Sequence, residues 1–214
     1  MFDDYFDLIN DTTEISKDIV EKLESINELY IEINRKTYDF LAKQYDDRTL
    51  FNGHEIKDNY WYAMLSKIIR KTDTKVLEIG PGSGRNLKIF EDLNCDITAV
   101  ELSSEMCKVA KRRASTSKII NKNILECEFE VKSFDVIFLM AVIHNFPLDD
   151  AHILLKKIHN WLKDDGCLLI GTTIHKNENF GFITKDDYKG KVKRYRYQYT
   201  KEHLNNLYLI VILN

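Results

Sequence analysis

The sequence predicts an α/β fold: a doubly wound, mostly parallel sheet with an N-terminal helical extension. Three observations carry this. From Lys75 onward, short β-prone runs alternate with stretches of helical period; Phe134 to Ala141 (FDVIFLMA) is nearly all apolar, as a central strand buried on both faces must be; and a glycine-rich turn joins the first of these strands to the first of these helices. At 214 residues and 44% hydrophobic, the chain can bury a single sizeable core. We divide it into an extension or lid over residues 1–72 and a core over 73–214.

In the extension, apolar residues recur at helical spacing from Thr13 to Lys43 (Ile15, Ile19, Leu23, Ile26, Ile33, Phe40), which predicts one long amphipathic helix or two broken near Asn34. Asn59 to Lys71 predicts another, with Trp61, Met64, Leu65 and Ile68 on its apolar face. In the core the expected strands are Lys75–Ile79, Asp96–Glu101, Ser117–Ile124, Phe134–Ala141 and Cys167–Ile174. The intervening helices are Asn86–Leu93, Ser104–Ala114 and Asp149–Leu162, with Asp164, Asp165 and Gly166 turning the chain into the fifth strand. Thr200 to Leu207 reads as a helix. Tyr208 to Leu213 (YLIVIL) reads as a β-prone run that either pairs with a basic strand near Tyr195 or lacks its hairpin partner, leaving the C-terminal strand region incomplete.

Composition excludes several classes. A formal net charge of -3 does not favour a chain held to nucleic acid by a broad basic surface. The densest cationic stretch, Lys185 to Arg196, interleaves lysine and arginine with Tyr188 and Tyr195, which suits the solvated face of a strand better than an anion or RNA site. No uncharged apolar run approaches the roughly 20 residues needed to cross a bilayer. Asp3, Asp4 and Asp7 stand where an export signal would be basic, so a cytoplasmic location is expected. Cys95, Cys107, Cys127 and Cys167 form no CxxC pair and read as small core residues, and His152 and His159 are seven apart, so no metal site is expected.

The informative stretch is Ile79-Gly80-Pro81-Gly82-Ser83-Gly84-Arg85. Glycines let the backbone turn sharply and approach a ligand, and the helix that follows offers free N–H groups. About 20 residues on, at the tip of the second strand, Glu101 can accept hydrogen bonds from both hydroxyls of a ribose. A dinucleotide fingerprint places a small residue where this chain has Arg85, and Glu78, just before the loop, suits a cationic ligand group rather than a phosphate. Both features favour S-adenosylmethionine, which has an α-amino group and no phosphate.

Val76-Leu77-Glu78-Ile79-Gly80-Pro81-Gly82-Ser83-Gly84 resembles the first motif of the class I (Rossmann-like) SAM-dependent methyltransferases, and Glu101 resembles the acid of their second; the resemblance covers roughly Tyr38 to His203. It implies S-adenosylmethionine as cofactor and S-adenosylhomocysteine as product. It further implies a cofactor site of Glu78, Gly80, Pro81, Gly82, Gly84, Asn86 and Glu101, with Leu102 and Met106 flanking adenine. Asn123 and Ile124 stand where the family usually has Asp and an apolar residue, and Met140 and Ala141 fall at the sulfonium end. Tyr45 matches a tyrosine that reaches the site from the N-terminal helix. Tyr38, Tyr45 and Arg48 are therefore lid candidates, Tyr38 and Arg48 toward the substrate and Tyr45 as a catalytic residue.

Methyl transfer is displacement at an activated carbon, for which alignment matters most and a base is optional. His144, just beyond the fourth strand, could deprotonate a hydroxyl or orient a carboxylate, which tilts the expected acceptor toward oxygen over nitrogen. The expected function is methylation of a small molecule or peptide by a monomer or homodimer. The alternatives are an RNA or protein methyltransferase, a catalytically silent partner subunit of the same fold, and an NAD(P)-dependent reductase.

Overall fold

The computed structural model describes residues 29–49, 60–184 and 192–212. Helix α1 (Leu29–Thr49) and helix α2 (Tyr60–Ile68) precede five strands, β1 (Lys75–Ile79), β2 (Asp96–Glu101), β3 (Lys118–Asn121), β4 (Phe134–Met140) and β5 (Leu162–Gly171). These form one sheet in the order β3-β2-β1-β4-β5, and every neighbouring pair is parallel. Parallel neighbours need crossovers, supplied by α3 (Arg85–Asp92), α4 (Ser104–Arg113) and α5 (Leu148–Trp161). The strand order reverses beside β1, and that switch point opens a crevice at the carboxyl ends of β1, β2 and β4.

Alternation along β4 explains why its sequence is continuously apolar. Ile137 and Leu139 face one layer with Leu154, Ile158 and Trp161 of α5, while Val136 and Phe138 face the other with Leu87 and Phe90 of α3 and Leu65 of α2. Phe90 meets Phe138 edge to face at 5.4 Å.

A second, antiparallel sheet pairs β6 (Asn179–Thr184) with β7 (Lys193–Gln198), and α6 (Lys201–Ile212) follows. Helix α1 lies on β7. Thr37 donates its hydroxyl to Lys193 O at 2.6 Å, and Asn34 Oδ1 accepts from Tyr195 N at 2.8 Å.

The structure decides several expectations. Of the two readings of the N-terminal helix, the unbroken one holds at Asn34: α1 runs through it, because its side chain satisfies the backbone of β7 instead of competing with its own. Other expectations are corrected. The first part of the predicted long helix lies outside the described residues. The basic strand is not a solvated face. Lys193, Arg194, Tyr195 and Tyr197 are all buried, because α1 and the turn after β4 cover them, and burial lowers the Lys193 pKa. Lys185 to Lys191 lie outside the described residues. The partner of β7 is Asn179–Thr184, and YLIVIL continues α6 as helix up to Ile212. An unbroken preceding helix outweighs β-propensity, which is strongly context-dependent. Asp164 to Gly166 form a bulge inside β5 rather than a turn before it: Phe134 pairs with Leu162 and Val136 with Cys167. β3 stops at Asn121, since Asn123 then caps a 3-10 turn over Ile124–Glu126. No described helix is long and apolar enough to cross a membrane.

Candidate cofactor and substrate site

The loop after β1 turns through three glycines at positive φ: Gly80 at 65°, Gly82 at 55° and Gly84 at 76°. Their side-chain space differs. A Cβ on Gly84 would sit 2.9 Å from Ala110 Cα of α4, so this glycine lets α3 and α4 pack closely. A Cβ on Gly82 would meet nothing within 4 Å and would project into open space.

Glu101, at the end of β2, faces this loop. Its Oε2 accepts from Gly82 N and its Oε1 from Ser103 N, both at 2.9 Å. Burial raises its pKa, and the backbone N–H groups oppose that by favouring the ionised form. Each oxygen keeps a further lone pair, the arrangement a ribose diol needs. The second acid, Glu78, is 1% exposed. Its Oε1 accepts from Asn86 Nδ2 at 3.2 Å, while Oε2 is buried with no hydrogen-bond partner. Burial pushes this carboxyl up to about 8, with the nearby Glu101 charge adding and the Asn86 bond opposing. A buried carboxylate oxygen without a donor fits a cationic group brought by a ligand.

A cavity of about 370 Å³ occupies the crevice, inside the roughly 300–1,000 Å³ typical of small-molecule sites. Gly80, Pro81, Gly82, Asn86 and Glu101 form its floor. Leu102, Met106, Asn123 and Ile124 line one end, and Met140 and Ala141 line the wall at β4. Asn123 Oδ1 already accepts from Leu125 N at 3.1 Å, leaving one lone pair for a ligand. Ala141 holds φ 57°, a conformation rare for a residue with a side chain and typical of binding sites, where surrounding structure enforces it.

Helix α1 roofs the cavity with Tyr30, Asn34, Tyr38 and Tyr45. Three tethers hold it there. Asp39 Oδ1 accepts from Ser103 Oγ at 2.6 Å and from Glu105 N at 3.1 Å, at the start of α4. Asp46 pairs with Arg112 and Arg113, and Arg113 Nη1 also donates to Ser83 Oγ of the glycine loop at 3.2 Å. Tyr38 accepts from Arg194 Nη1 at 2.9 Å, and both Tyr38 and Tyr45 pack against Met106.

Most residues singled out from the sequence thus converge on one cavity. Glu78 and Gly84 lie behind its walls, and His144 does not line it. The His144 ring is buried in the 3-10 turn Ile143–Asn145, with Nδ1 2.9 Å from Thr172 Oγ1. Arg48 belongs to α1, but its side chain lies outside those described. The sequence reading missed Tyr30, Asn34, Asn145 and Phe146. Tyr30 and Asn34 share a face of α1 four residues apart, a spacing legible in the sequence, whereas nothing local marks Asn145 or Phe146 as lining a cavity.

Comparison with known proteins agrees with this geometry. Residues 77–170 match a family model described as a methyltransferase domain. A phosphoethanolamine N-methyltransferase of Plasmodium falciparum is 32% identical over 139 residues, covering 63% of this chain and 51% of that protein. A demethylmenaquinone methyltransferase of Chlorobaculum tepidum is 26% identical over 145 residues, covering 64% and 57%. The chain therefore spans little more than half the length of these relatives. The crystal structure of Burkholderia thailandensis 1,6-didemethyltoxoflavin-N1-methyltransferase, with bound 1,6-didemethyltoxoflavin and S-adenosylhomocysteine, has a TM-score of 0.59 at 18% identity, covering 94% of this chain and 81% of that one, a likeness of fold. With the strand order, the glycine loop and the two acids already placed, these matches support a class I, Rossmann-like SAM-dependent methyltransferase, residues 77–170 being similar to its methyltransferase domain.

Proposed function

We propose that this chain transfers the methyl group of S-adenosylmethionine to a small organic molecule or short peptide. The observation that carries this reading is the continuity of one cavity from the ribose acid Glu101, past Met140 and Ala141, to an aromatic roof on α1. A cofactor seated at one end leaves room at the other for an acceptor.

When bound, the cofactor supplies a methyl group already activated by a sulfonium centre. The chain's own residues then orient and exclude water. Glu101 receives the ribose hydroxyls, and Leu102, Met106 and Ile124 flank the adenine. Glu78 lies behind the cavity wall, bonded to Asn86, and its carboxylate attracts the α-amino group from there. Met140 and Ala141 border the sulfonium end. Tyr30, Tyr38 and Tyr45 cover the acceptor, and the tethers of Asp39, Asp46 and Arg113 hold that cover over the loop.

The expectation of an oxygen acceptor rested on His144 as a base. With Nδ1 engaged by Thr172 and the ring outside the cavity wall, His144 is better suited to fixing the turn that presents Asn145. Tyr45 remains a wall residue beside Met106, and no proton transfer is routed through it.

A calorimetric titration tests the reading. S-adenosylhomocysteine should bind stoichiometrically and NADH should not; binding of NADH alone would overturn it.

A further inference from the structure

We infer that the methyl acceptor is an amine nitrogen, seated by an N–H bond to Asn145 Oδ1 at the aromatic end of the cavity. This rests on the methyl-transfer reading above. Asn145 lines the cavity, and its Oδ1 is buried with no hydrogen-bond partner. Leaving a buried acceptor unpaired is costly, so a ligand that supplies a donor there gains more than an ordinary surface hydrogen bond.

The backbone that presents this side chain is pinned from three directions. Asn34 Nδ2 donates to Asn145 O at 3.3 Å, Asn145 N donates to Val142 O at 2.8 Å, and the neighbouring His144 ring is held at Thr172. The backbone that carries this oxygen is therefore fixed by structure and does not belong to a mobile loop.

Its surroundings select the donor. Tyr30 and Phe146 line the same end and meet edge to face at 6.4 Å, and Tyr38 and Tyr45 stand 6.2 Å apart along α1. Glu101, at the ribose end, is the only carboxylate among the described residues lining the cavity, and no histidine lines it. A carboxylic acid acceptor would arrive ionised, with no hydrogen to give Oδ1. An alcohol or phenol could give one, but would then need a base to take it before attack, and two of the lining hydroxyls are committed: Tyr30 donates to Asp150, and Tyr38 accepts from Arg194.

An amine needs no base. With Glu101 at the ribose end its only carboxylate, and Arg85 and Lys122 among its other lining residues, the cavity disfavours the ammonium form, so the nitrogen sits as the free base with one hydrogen toward Oδ1 and its lone pair toward the methyl group. The N–C bond forms as the C–S bond breaks, the sulfonium becomes a thioether, and the nitrogen keeps its hydrogens and takes the positive charge. It sheds a proton to water after release.

The test uses the full chain, methyl-labelled S-adenosylmethionine, and three matched probes: phenethylamine, 2-phenylethanol and phenylacetate. Label should enter the amine alone, with kcat/KM rising as pH converts ammonium to free base. Asn145→Leu should raise the amine KM about tenfold, as expected for losing one hydrogen bond to a buried acceptor. Its calorimetric affinity for S-adenosylhomocysteine should stay within about twofold of the parent chain, which also certifies that the variant is folded. Label in the alcohol or acid, label in none of the probes while S-adenosylhomocysteine binds, or an unchanged KM in a folded Asn145→Leu variant would each overturn the inference. Failure of the parent chain to bind S-adenosylhomocysteine would instead overturn the methyl-transfer reading beneath it.

Discussion

Replacing Glu78 by glutamine should stabilise the cofactor-free protein, and the gain should depend on pH in a way the structure specifies. Glu78 is 1% exposed, and its single hydrogen bond, from Asn86, does not offset the cost of burying a charge. Its pKa therefore rises from an ordinary 4.5 to about 8. For an acid, a folded pKa above the unfolded one means that the folded state holds the proton more tightly. Stability is then greatest below about pH 4.5 and is lost as pH rises toward 8. At roughly 1.4 kcal/mol per pH unit, that interval amounts to about 5 kcal/mol above pH 8 and about 3 kcal/mol at pH 7, a large part of a domain's usual 5–15. Urea unfolding of parent and Glu78→Gln, without cofactor, at unit steps from pH 5 to 9, measures it. Burial raises the Glu101 pKa as well, so only the difference between the two proteins isolates Glu78. That difference should widen from near zero at pH 5 and level off above pH 8. A difference independent of pH would refute the argument that Glu78 is protonated in the empty protein.

The same carboxyl should ionise when it meets a cation, so binding of S-adenosylhomocysteine at pH 7 should release about one proton, read by calorimetry in buffers of different ionisation enthalpy. Binding with no proton release would place the amino group elsewhere. Gly84→Ala should cost about 3 kcal/mol or more in thermal stability, because a positive φ and a 2.9 Å approach to Ala110 Cα must both be relieved. Gly82→Ala should cost only about 1 kcal/mol of stability while weakening S-adenosylhomocysteine at least about tenfold, since its methyl group enters open space on the cavity floor. Glu101→Ala should weaken the same ligand by about 1 to 3 kcal/mol in calorimetry by removing charge-assisted bonds. Asn34→Leu should destabilise by about 1–3 kcal/mol in urea unfolding, since Tyr195 N would lose its acceptor beneath α1.

What the sequence by itself determined lies where the signal is local. Short apolar, β-prone runs against period-3.6 stretches placed four strands and the helices between them to within a few residues, while the fifth strand begins at Leu162, ahead of the expected Cys167. The turn through Gly80, Gly82 and Gly84 and the acid Glu101 were legible as residues that meet in the structure, where Gly82 N donates to Glu101 Oε2, because the turn is demanded by backbone geometry and the acid by the ligand chemistry proposed for it. Tertiary structure decided the rest. YLIVIL carries β-prone side chains yet continues a helix; Lys193 and Arg194 look like surface residues yet lie beneath α1; and His144 stands at the expected edge of the sheet yet turns to Thr172. Each of these outcomes depends on a partner far away in the chain, Asn34 to Tyr195 across 161 positions being one such pair, and no window of neighbouring residues contains that information. The proposed acceptor end of the site belongs to the same category. Tyr30 and Asn34 on α1 meet Asn145 and Phe146 after β4 only once the helix has been laid across the sheet.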